Sequence, residues 1–468
     1  MSKNIPTPND EEVKELIALY TAKDFSKLET MANAILENKK DHHIVLNILG
    51  LSFSAQGEIK KALKFFDESL RIKPDYAVAY NNKANIFLKK KEYTEAITLF
   101  KKAYSYDPSN KIKFNLANCY FEKEEYDEAI QMYEEIISTD DKFLEAHKNL
   151  GLSYQAKEEY DEALKAFEKI LKVDSNNIDA KFNLGNIYLA KNNYEEANNI
   201  YNAIINLSND PRFHYNNGVA YQHRKEYELA INEYKRTTEL DQNDLKAFHN
   251  MAVCYKGIED DENALKYLKI CQNKDPQSEE SNENLANFYL SLSDYSNAIT
   301  HYKKVLETNP KNLESLSNLG ISYLMSNNLD EALNEFQNAF SINTDSFELM
   351  RLIGEIYYRK DEIEKAIPLF ERSINIEPID GADRAHYYLG KLYEKKENYE
   401  KSLFHFRESE MFEEDIYWKE DYLNILLIFE NNKKYIKEIE TIYQELEDEG
   451  NQSEVFNRAK EYLLNKKV

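Results

Sequence analysis

The chain has 468 residues, and its 84 acidic against 60 basic side chains give a formal net charge of −24. This acidic balance argues against binding to nucleic acid or to an anionic membrane surface, because both need clustered Lys and Arg. Only 11 glycines and 9 prolines occur, too few for a chain rich in strands or linkers, so the composition predicts a mostly helical protein.

The cysteines and the first residues indicate the compartment. Cys119, Cys254 and Cys271 lie far apart and form no CxxC pair, so we expect neither a disulfide framework nor a zinc site. The start, MSKNIPTPNDEEVKEL, lacks the apolar core of a signal peptide, and no apolar stretch approaches the roughly 20 residues of a membrane span. We therefore expect a soluble protein of the cytoplasm, with residues 1–8 as a loose tail.

From residue 9 onward one repeat governs the chain. The phrase Asn149-Leu-Gly-Leu-Ser-Tyr154, followed by Tyr160-Asp-Glu-Ala163, recurs in later segments with the same spacing. The small residue of the second half recurs every 33 to 36 residues, most often every 34, at Ala62, Ala96, Ala129, Ala163, Ala197, Ala230, Ala264, Ala298, Ala332, Ala366 and Ser402. Apolar residues at helical spacing in each half predict two helices per repeat.

Small and aromatic residues alternate at fixed positions of the repeat. The eighth position takes Gly50, Ala84, Ala117, Gly151, Gly185, Gly218, Ala252, Ala286, Gly320, Gly354 and Gly390. The twenty-fourth takes an aromatic ring in ten repeats, at Phe66, Phe100, Tyr133, Phe167, Tyr201, Tyr234, Tyr302, Phe336, Phe370 and Phe406. Glycine inside a helix costs about 1 kcal/mol relative to alanine, so we expect the two helices to approach closely there and the rings to fill the space.

This step and residue pattern resemble the tetratricopeptide repeat (TPR) family. The resemblance implies an all-α fold, a TPR α-solenoid in which antiparallel helix pairs form a right-handed superhelix of about 13 repeats. We divide the chain into a degenerate first repeat (9–42), eleven clear repeats (43–418), a degenerate repeat (419–452) and a C-terminal capping helix (453–468).

Motifs for catalysis and for phosphate binding are missing. The sequence has no GxGxxG, GxxxxGK[ST], HExxH, GxSxG or EF-hand pattern, and its glycines are spaced for helix contacts. We therefore predict a protein that is not an enzyme and that uses no cofactor and no metal.

The sixth repeat position gives the one specific functional signal. It is asparagine in eight consecutive repeats, between Ile48 before the run and Leu352 and Tyr388 after it. We call this set the asparagine row: Asn82, Asn115, Asn149, Asn183, Asn216, Asn250, Asn284 and Asn318. Asparagine is a mediocre residue for a helix interior, so the row calls for an explanation.

The family resemblance suggests that explanation, because the first helices of such repeats line the concave surface. A carboxamide has both a donor and an acceptor, and can hold the C=O and N–H of an extended peptide. Such a ladder resembles the one in the superhelical half of O-linked N-acetylglucosamine transferase. We predict that the row binds a partner's backbone, with Asn85, Asn118, Asn186 and Asn287 as auxiliary residues one turn on.

Other interpretations stay open at this stage. Asparagine at the sixth position can also be mere family consensus that bonds within the fold. The chain can be the targeting arm of a glycosyltransferase or sulfotransferase whose catalytic part is separate. It can also be a fixed subunit of a large ciliary or cell-cycle assembly, with the apolar stretch 423–429 in a permanent interface. The clamp for chaperone carboxyl termini is rejected, because no sixth position holds Arg.

Overall fold

The computed structural model describes residues 10–38, 41–376, 382–409, 416–429 and 433–466. The tail predicted at residues 1–8 lies outside this described part. Within the described ranges every regular element is a helix and no strand occurs, which confirms the all-α class.

The chain divides into two compact units, Met1–Ala247 and Phe248–Val468. The first contains α1 (Asp10–Thr21), α2 (Phe25–Asn38), α3 (His43–Ala55), α4 (Ile59–Ile72), α5 (Ala77–Lys89), α6 (Tyr93–Tyr106), α7 (Asn110–Glu122), α8 (Tyr126–Thr139), α9 (Leu144–Ala156), α10 (Tyr160–Val173), α11 (Ile178–Ala190), α12 (Tyr194–Ile204), α13 (Pro211–His223) and α14 (Tyr227–Leu240). The division falls within α15 (Leu245–Gly257). The second contains α16 (Asp261–Lys274), α17 (Glu279–Ser291), α18 (Tyr295–Thr308), α19 (Leu313–Met325), α20 (Leu329–Ile342), α21 (Phe347–Arg359), α22 (Ile363–Ile376), α23 (Ala382–Lys395), α24 (Tyr399–Glu408), α25 (Ile416–Ile428), α26 (Ile436–Asp448) and α27 (Glu454–Lys466).

Each odd-numbered helix from α1 to α23 turns into the next through the same short connection. In the α9–α10 turn, the N–H of Glu158 bonds the carbonyl of Gln155, and the N–H of Glu159 bonds that of Tyr154. These are the two bonds of a Schellman motif, which needs one residue in the left-handed conformation. Glycine occupies this left-handed position in one turn, as Gly57. In the other eleven turns the position is occupied by Lys23, Lys91, Glu124, Glu158, Asn192, Lys225, Glu259, Ser293, Asn327, Asp361 and Glu397.

The contact predicted between the small and the aromatic positions is confirmed. A Cβ atom placed on Gly50 would lie 2.5 Å from the ring of Phe66, and one on Gly151 would lie 2.6 Å from Phe167. Both rings are fully buried. The missing side chain therefore makes room for the ring of the partner helix, and this packing offsets the helix-weakening effect of glycine.

The two degenerate ends fold onto their neighbours. Leu16, Leu28 and Ala32 form a buried cluster with Val45 and Leu49 of α3. At the other end the apolar stretch of α25 packs into one cluster with α26 and α27, formed by Leu423, Ile425, Leu426, Leu427, Ile439, Leu446, Phe456 and Ala459. This internal packing buries Leu423, Ile425, Leu426 and Leu427, whereas Ile428 in the same stretch is 42% exposed. Across the described residues, no helix is both long and apolar enough to cross a bilayer.

Candidate peptide-binding surface

The structure places all eight members of the asparagine row on odd-numbered helices, one each on α5, α7, α9, α11, α13, α15, α17 and α19. All eight side chains belong to half-buried residues. Such residues keep part of their surface open while the rest contacts the protein, so the row can both bond within the fold and meet a ligand.

Most of the row bonds to the preceding odd-numbered helix. In the first unit, Nδ2 of the row asparagine donates to a side-chain oxygen in four cases: Asn82 to Asn47 at 3.0 Å, Asn115 to Asn81 at 2.8 Å, Asn149 to Asn118 at 2.8 Å, and Asn216 to Asn186 at 2.8 Å. In the second unit, Nδ2 of Asn318 donates to Asn287 at 3.3 Å, and Nδ2 of Asn284 lies 2.9 Å from Nδ1 of His249. These bonds tie one helix pair to the next.

Asn183 behaves differently, and its neighbours explain why. Its Nδ2 donates to the backbone carbonyl of Asp179 on its own helix, at 2.8 Å. The acceptors used elsewhere stand at the fifth or ninth position of the preceding helix, and α9 has Lys148 and Leu152 there. Neither side chain can accept a hydrogen bond, so the amide of Asn183 turns back to its own backbone.

Three of the four auxiliary asparagines brace the row. The hydroxyl groups of Tyr133, Tyr201 and Tyr302, on the second helices, donate to the oxygens of Asn118, Asn186 and Asn287 at 2.6, 2.7 and 2.5 Å. Burial raises the pKa of each of these tyrosines, which keeps the hydroxyl protonated as a donor. Each of these amides therefore links three helices, while the fourth auxiliary residue, Asn85, is half-buried on α5.

A cleft in the first unit includes part of the row. Its volume is about 540 Å³, and Asn118 and Asn149 lie in its lining beside the apolar side chains of Leu88, Phe121 and Leu152. The rest of the lining is Lys89, Lys91, Tyr93 and Glu122. Amides and apolar walls from three successive odd-numbered helices thus border one open space.

A larger cleft, of about 850 Å³, lies in the second unit where the row has ended. All of its lining residues belong to the odd-numbered helices α19, α21, α23 and α25. They include Leu352 and Tyr388, which stand at the sixth position in place of asparagine. The odd-numbered helices therefore line the open surface in this unit as well.

The sequence did not single out the acceptors at the fifth position, which are Asn47, Asn81 and His249. The sequence does contain a signal for them: an asparagine or histidine at the fifth position, one residue before the sixth, can accept a hydrogen bond from the asparagine of the following repeat. Only the structure shows whether the fifth or the ninth position is used.

Two solved structures are similar to this chain. The C-terminal part of a TPR repeat-containing protein from Cytophaga hutchinsonii is 23% identical, with a TM-score of 0.43 over 50% of this chain and 98% of that one. A chain of the APC/C hetero-tetramer Cut9–Hcn1 is 12% identical, with a TM-score of 0.38 over 88% of this chain and 95% of that one. At these identities the likeness concerns the fold alone.

Curated relatives match shorter stretches. "Tetratricopeptide repeat domain-containing protein PYG7, chloroplastic" from Arabidopsis thaliana is 32% identical over 68 residues, which are 14% of this chain and 23% of that protein. "Uncharacterized protein ycf37" from Cyanophora paradoxa is 30% identical over 108 residues, which are 22% of this chain and 63% of that protein. The chain thus spans less than two thirds of the length of either relative.

Family models described as tetratricopeptide repeat match along most of the repeated region. The matched residues are 44–76, 87–150, 154–215, 246–278, 289–346 and 319–383. These matches lie within the region in which the 34-residue step and the helix pairs were found. The chain belongs to the tetratricopeptide repeat family.

Proposed function

We propose that this protein is a non-catalytic scaffold whose asparagine row binds an extended segment of a partner protein by its main chain. The observation that supports this most is the cleft of the first unit, where the amides of Asn118 and Asn149 border open space beside apolar side chains. An extended segment offers one C=O and one N–H per residue, and a carboxamide matches both.

The bonds between helix pairs prepare the row for this task. A carboxamide has two N–H donors and one oxygen, and the bond to the preceding helix uses one N–H. That bond fixes the direction of the amide, so less conformational freedom is lost when a ligand binds. The arrangement gives up part of the hydrogen-bonding capacity in exchange for preorganisation.

Affinity in this scheme comes from many weak contacts. One hydrogen bond contributes about 0.5 to 1.5 kcal/mol net, and a single amide therefore binds nothing on its own. Several amides on successive helices, together with the apolar walls, reach a useful affinity only for a segment long enough to span them. The partner is accordingly a flexible or unfolded stretch rather than a folded surface.

The proposal is tested with peptides selected on the protein itself. A displayed library of random 16-residue peptides supplies ligands, and their dissociation constants are measured for the unaltered protein and for Asn183→Ala. Because the amide of Asn183 bonds only its own backbone in this structure, its removal leaves the bonds between helix pairs intact. We expect affinity to fall about three- to tenfold, the equivalent of one hydrogen bond.

Asn375→Ala is the matched control. Its Nδ2 donates to the backbone carbonyl of Glu371 at 2.7 Å, the same local bond as in Asn183, but on the even-numbered helix α22. We expect this variant to bind the selected peptides as the unaltered protein does. If Asn183→Ala also binds every selected peptide with unchanged affinity, the row is not a binding surface and the proposal is overturned.

A further inference from the structure

The cleft of the second unit contains a mostly buried guanidinium, one nitrogen of which has no hydrogen-bond partner in the described part of the chain. Arg351, on α21, has a side chain that is only 13% exposed, and among the described residues its Nη1 has no hydrogen-bond partner. Its closest carboxylate oxygens belong to Glu355, 3.7 Å from Nη1, and to Glu348, 4.0 Å from Nη2. Both distances exceed a hydrogen bond.

The nearest acid is already engaged elsewhere. The carboxylate of Glu355, itself 6% exposed, accepts a 2.6 Å bond from Nη2 of Arg359. A second guanidinium, that of Arg384 on α23, also lines the cleft. Burial and the positive charge of Arg384 lower the pKa of Arg351, and the charges of Glu355 and Glu348 oppose this only in part.

A buried guanidinium N–H without an acceptor lowers the stability of the fold. It has lost its hydration and has gained no hydrogen bond in return. An oxyanion seated between Arg351 and Arg384 would restore that bond, and a guanidinium binds a planar carboxylate through parallel hydrogen bonds. The unpaired N–H and the second guanidinium together point to an anionic ligand.

The charges of the lining limit that ligand to a single negative charge. Lys391 is paired with Asp421 at 2.6 Å, and Arg359 with Glu355. The remaining charged residues are Arg351 and Arg384 against Glu348 and Glu420. A phosphate dianion would meet repulsion from the two carboxylates in this balanced site, whereas a carboxylate brings one charge only.

We propose that this cleft binds the carboxylate of an acidic residue in a partner's extended segment, with the guanidinium groups of Arg351 and Arg384 as its donors. The four tyrosines of the lining, Tyr358, Tyr387, Tyr388 and Tyr417, then contact the residues flanking the acid. This inference rests on the proposed function, because it assigns a side-chain preference to an extended segment of a partner protein.

The test uses three blocked pentapeptides of the form Ala-Leu-X-Leu-Ala, in which X is Glu, Gln or phosphoserine. Binding is measured by isothermal titration calorimetry. Trp418, the only tryptophan in the chain, lines this cleft and also a smaller one of about 300 Å³ beside Tyr422, so its emission reports binding next to α25, and the Arg351 variant assigns that binding to this cleft. We expect the Glu peptide to bind at least tenfold more tightly than the Gln peptide and to change the emission.

Two variants separate a ligand-binding role from a structural one. Arg351→Gln should reduce the affinity for the Glu peptide at least tenfold, with an unchanged or higher unfolding midpoint, because it removes a buried guanidinium whose Nη1 has no hydrogen bond. Arg236→Gln, at an exposed arginine of the first unit that pairs with Glu239, should leave binding unchanged. If the Glu and Gln peptides give equal or no binding, or if Arg351→Gln binds normally, the inference is overturned.

The remaining outcomes are also decisive. Tighter binding of the phosphoserine peptide would overturn the assignment of a carboxylate in favour of a phosphate. Loss of pentapeptide binding in Arg351→Gln while Asn183→Ala binds its selected peptides normally would support this cleft and refute the asparagine row. Normal behaviour of the row with no pentapeptide binding would refute this inference alone.

Discussion

Asn149 donates a hydrogen bond to Asn118, with 2.8 Å between Nδ2 of the first and Oδ1 of the second. The same oxygen accepts the hydroxyl of Tyr133 at 2.6 Å. Three helices, α7, α8 and α9, thus meet at one amide. In this protein the asparagine row is part of the joint between repeats as well as a candidate binding surface.

An auxiliary asparagine that joins three helices and a row asparagine that bonds only its own helix should differ in their effect on stability. Asn118→Ala removes the acceptor of both Asn149 and the buried Tyr133, and we expect it to lower the free energy of unfolding by about 1 to 3 kcal/mol. Asn183→Ala should change it by less than about 0.5 kcal/mol. Urea unfolding followed by circular dichroism makes the comparison, and equal losses would contradict the bonding described for the two residues.

A buried polar network replaces an apolar pair at one joint of the first unit. Nδ2 of Asn198 lies 2.7 Å from Oδ1 of Asn217, and Nδ2 of Asn217 donates to Asn202 at 2.9 Å. Both Asn198 and Asn217 are almost fully buried. Leu164 and Leu184 occupy the equivalent positions one repeat earlier and belong to the same apolar cluster.

This exchange predicts a coupled pair of substitutions. Asn217→Leu removes the side-chain acceptor of Asn198, whose amide keeps its bonds to the backbone carbonyl of residue 217 and to Nη1 of Arg224, so we expect the free energy of unfolding to fall by about 1 to 2 kcal/mol. The double variant Asn198→Leu with Asn217→Leu recreates the apolar pair, and its stability should return to within about 1 kcal/mol of the unaltered protein. A double-mutant cycle by urea unfolding checks this, and strictly additive losses would speak against it.

The stability of the protein can be raised at the turn within a helix pair. Glu158 adopts the left-handed conformation, with φ of 61°, and its residue is exposed. An L-residue in this conformation carries a strain of about 1 to 2 kcal/mol, which glycine avoids. Glycine also has more conformational freedom in the unfolded chain, and this cancels part of the stability gained by removing the strain. We expect Glu158→Gly to raise the stability by about 0.5 to 1 kcal/mol. Gly57→Ala, at the same place with φ of 81°, should have the opposite sign, and thermal unfolding of both variants tests the pair.

Acid should weaken the second unit through a pair of histidines. Nδ1 of His405 lies 2.9 Å from Nδ1 of His386, and the ring of His405 is buried against Tyr393. Burial, with positive charge on His386 and Lys401, lowers the pKa of His405 from 6.5 to about 4. Burial also lowers the pKa of His386, although Glu408 and Asp383 oppose this.

The direction of the effect follows from proton binding. Between pH 6.5 and about 4 the unfolded chain takes up the proton and the folded His405 does not, so unfolding is favoured as the pH falls through this range. The contribution of the neutral His405 to the stability of the fold is therefore fully present above pH 6.5. We expect the thermal unfolding midpoint to be lower at pH 5.0 than at pH 7.5, and this difference should be smaller in His405→Phe than in the unaltered protein. An identical difference in both proteins would show that His405 does not contribute to it.

The sequence allowed the repeated helix pairs to be predicted because the 34-residue step fixes which residues meet. Gly50 and Phe66 contact as expected, since a small residue and a ring at constant separation leave one way to pack. The turn conformation was not predictable from composition, because the left-handed position is filled by residues as different as Lys91, Glu158 and Ser293.

The candidate sites were predicted only in part. The position of the row on the odd-numbered helices follows from the repeat, but its bonding partners depend on which acceptor the preceding helix presents. The cleft around Arg351 combines the fifth position of one repeat with Arg384 at the second position of the next and with Tyr417 at the start of α25. No single repeat position marks it, and the division at residue 247 likewise falls where the repeat pattern continues.

The most direct test of the central claim is a paired scan of one selected 16-residue peptide against the unaltered protein. Each residue is replaced in one series by alanine, and in the other its backbone nitrogen is methylated, which removes one main-chain donor. A surface that recognises the main chain predicts that alanine changes the dissociation constant little, while methylation at several positions weakens binding at least tenfold. If alanine replacements abolish binding and methylated peptides bind normally, the asparagine row does not recognise the backbone of its partner.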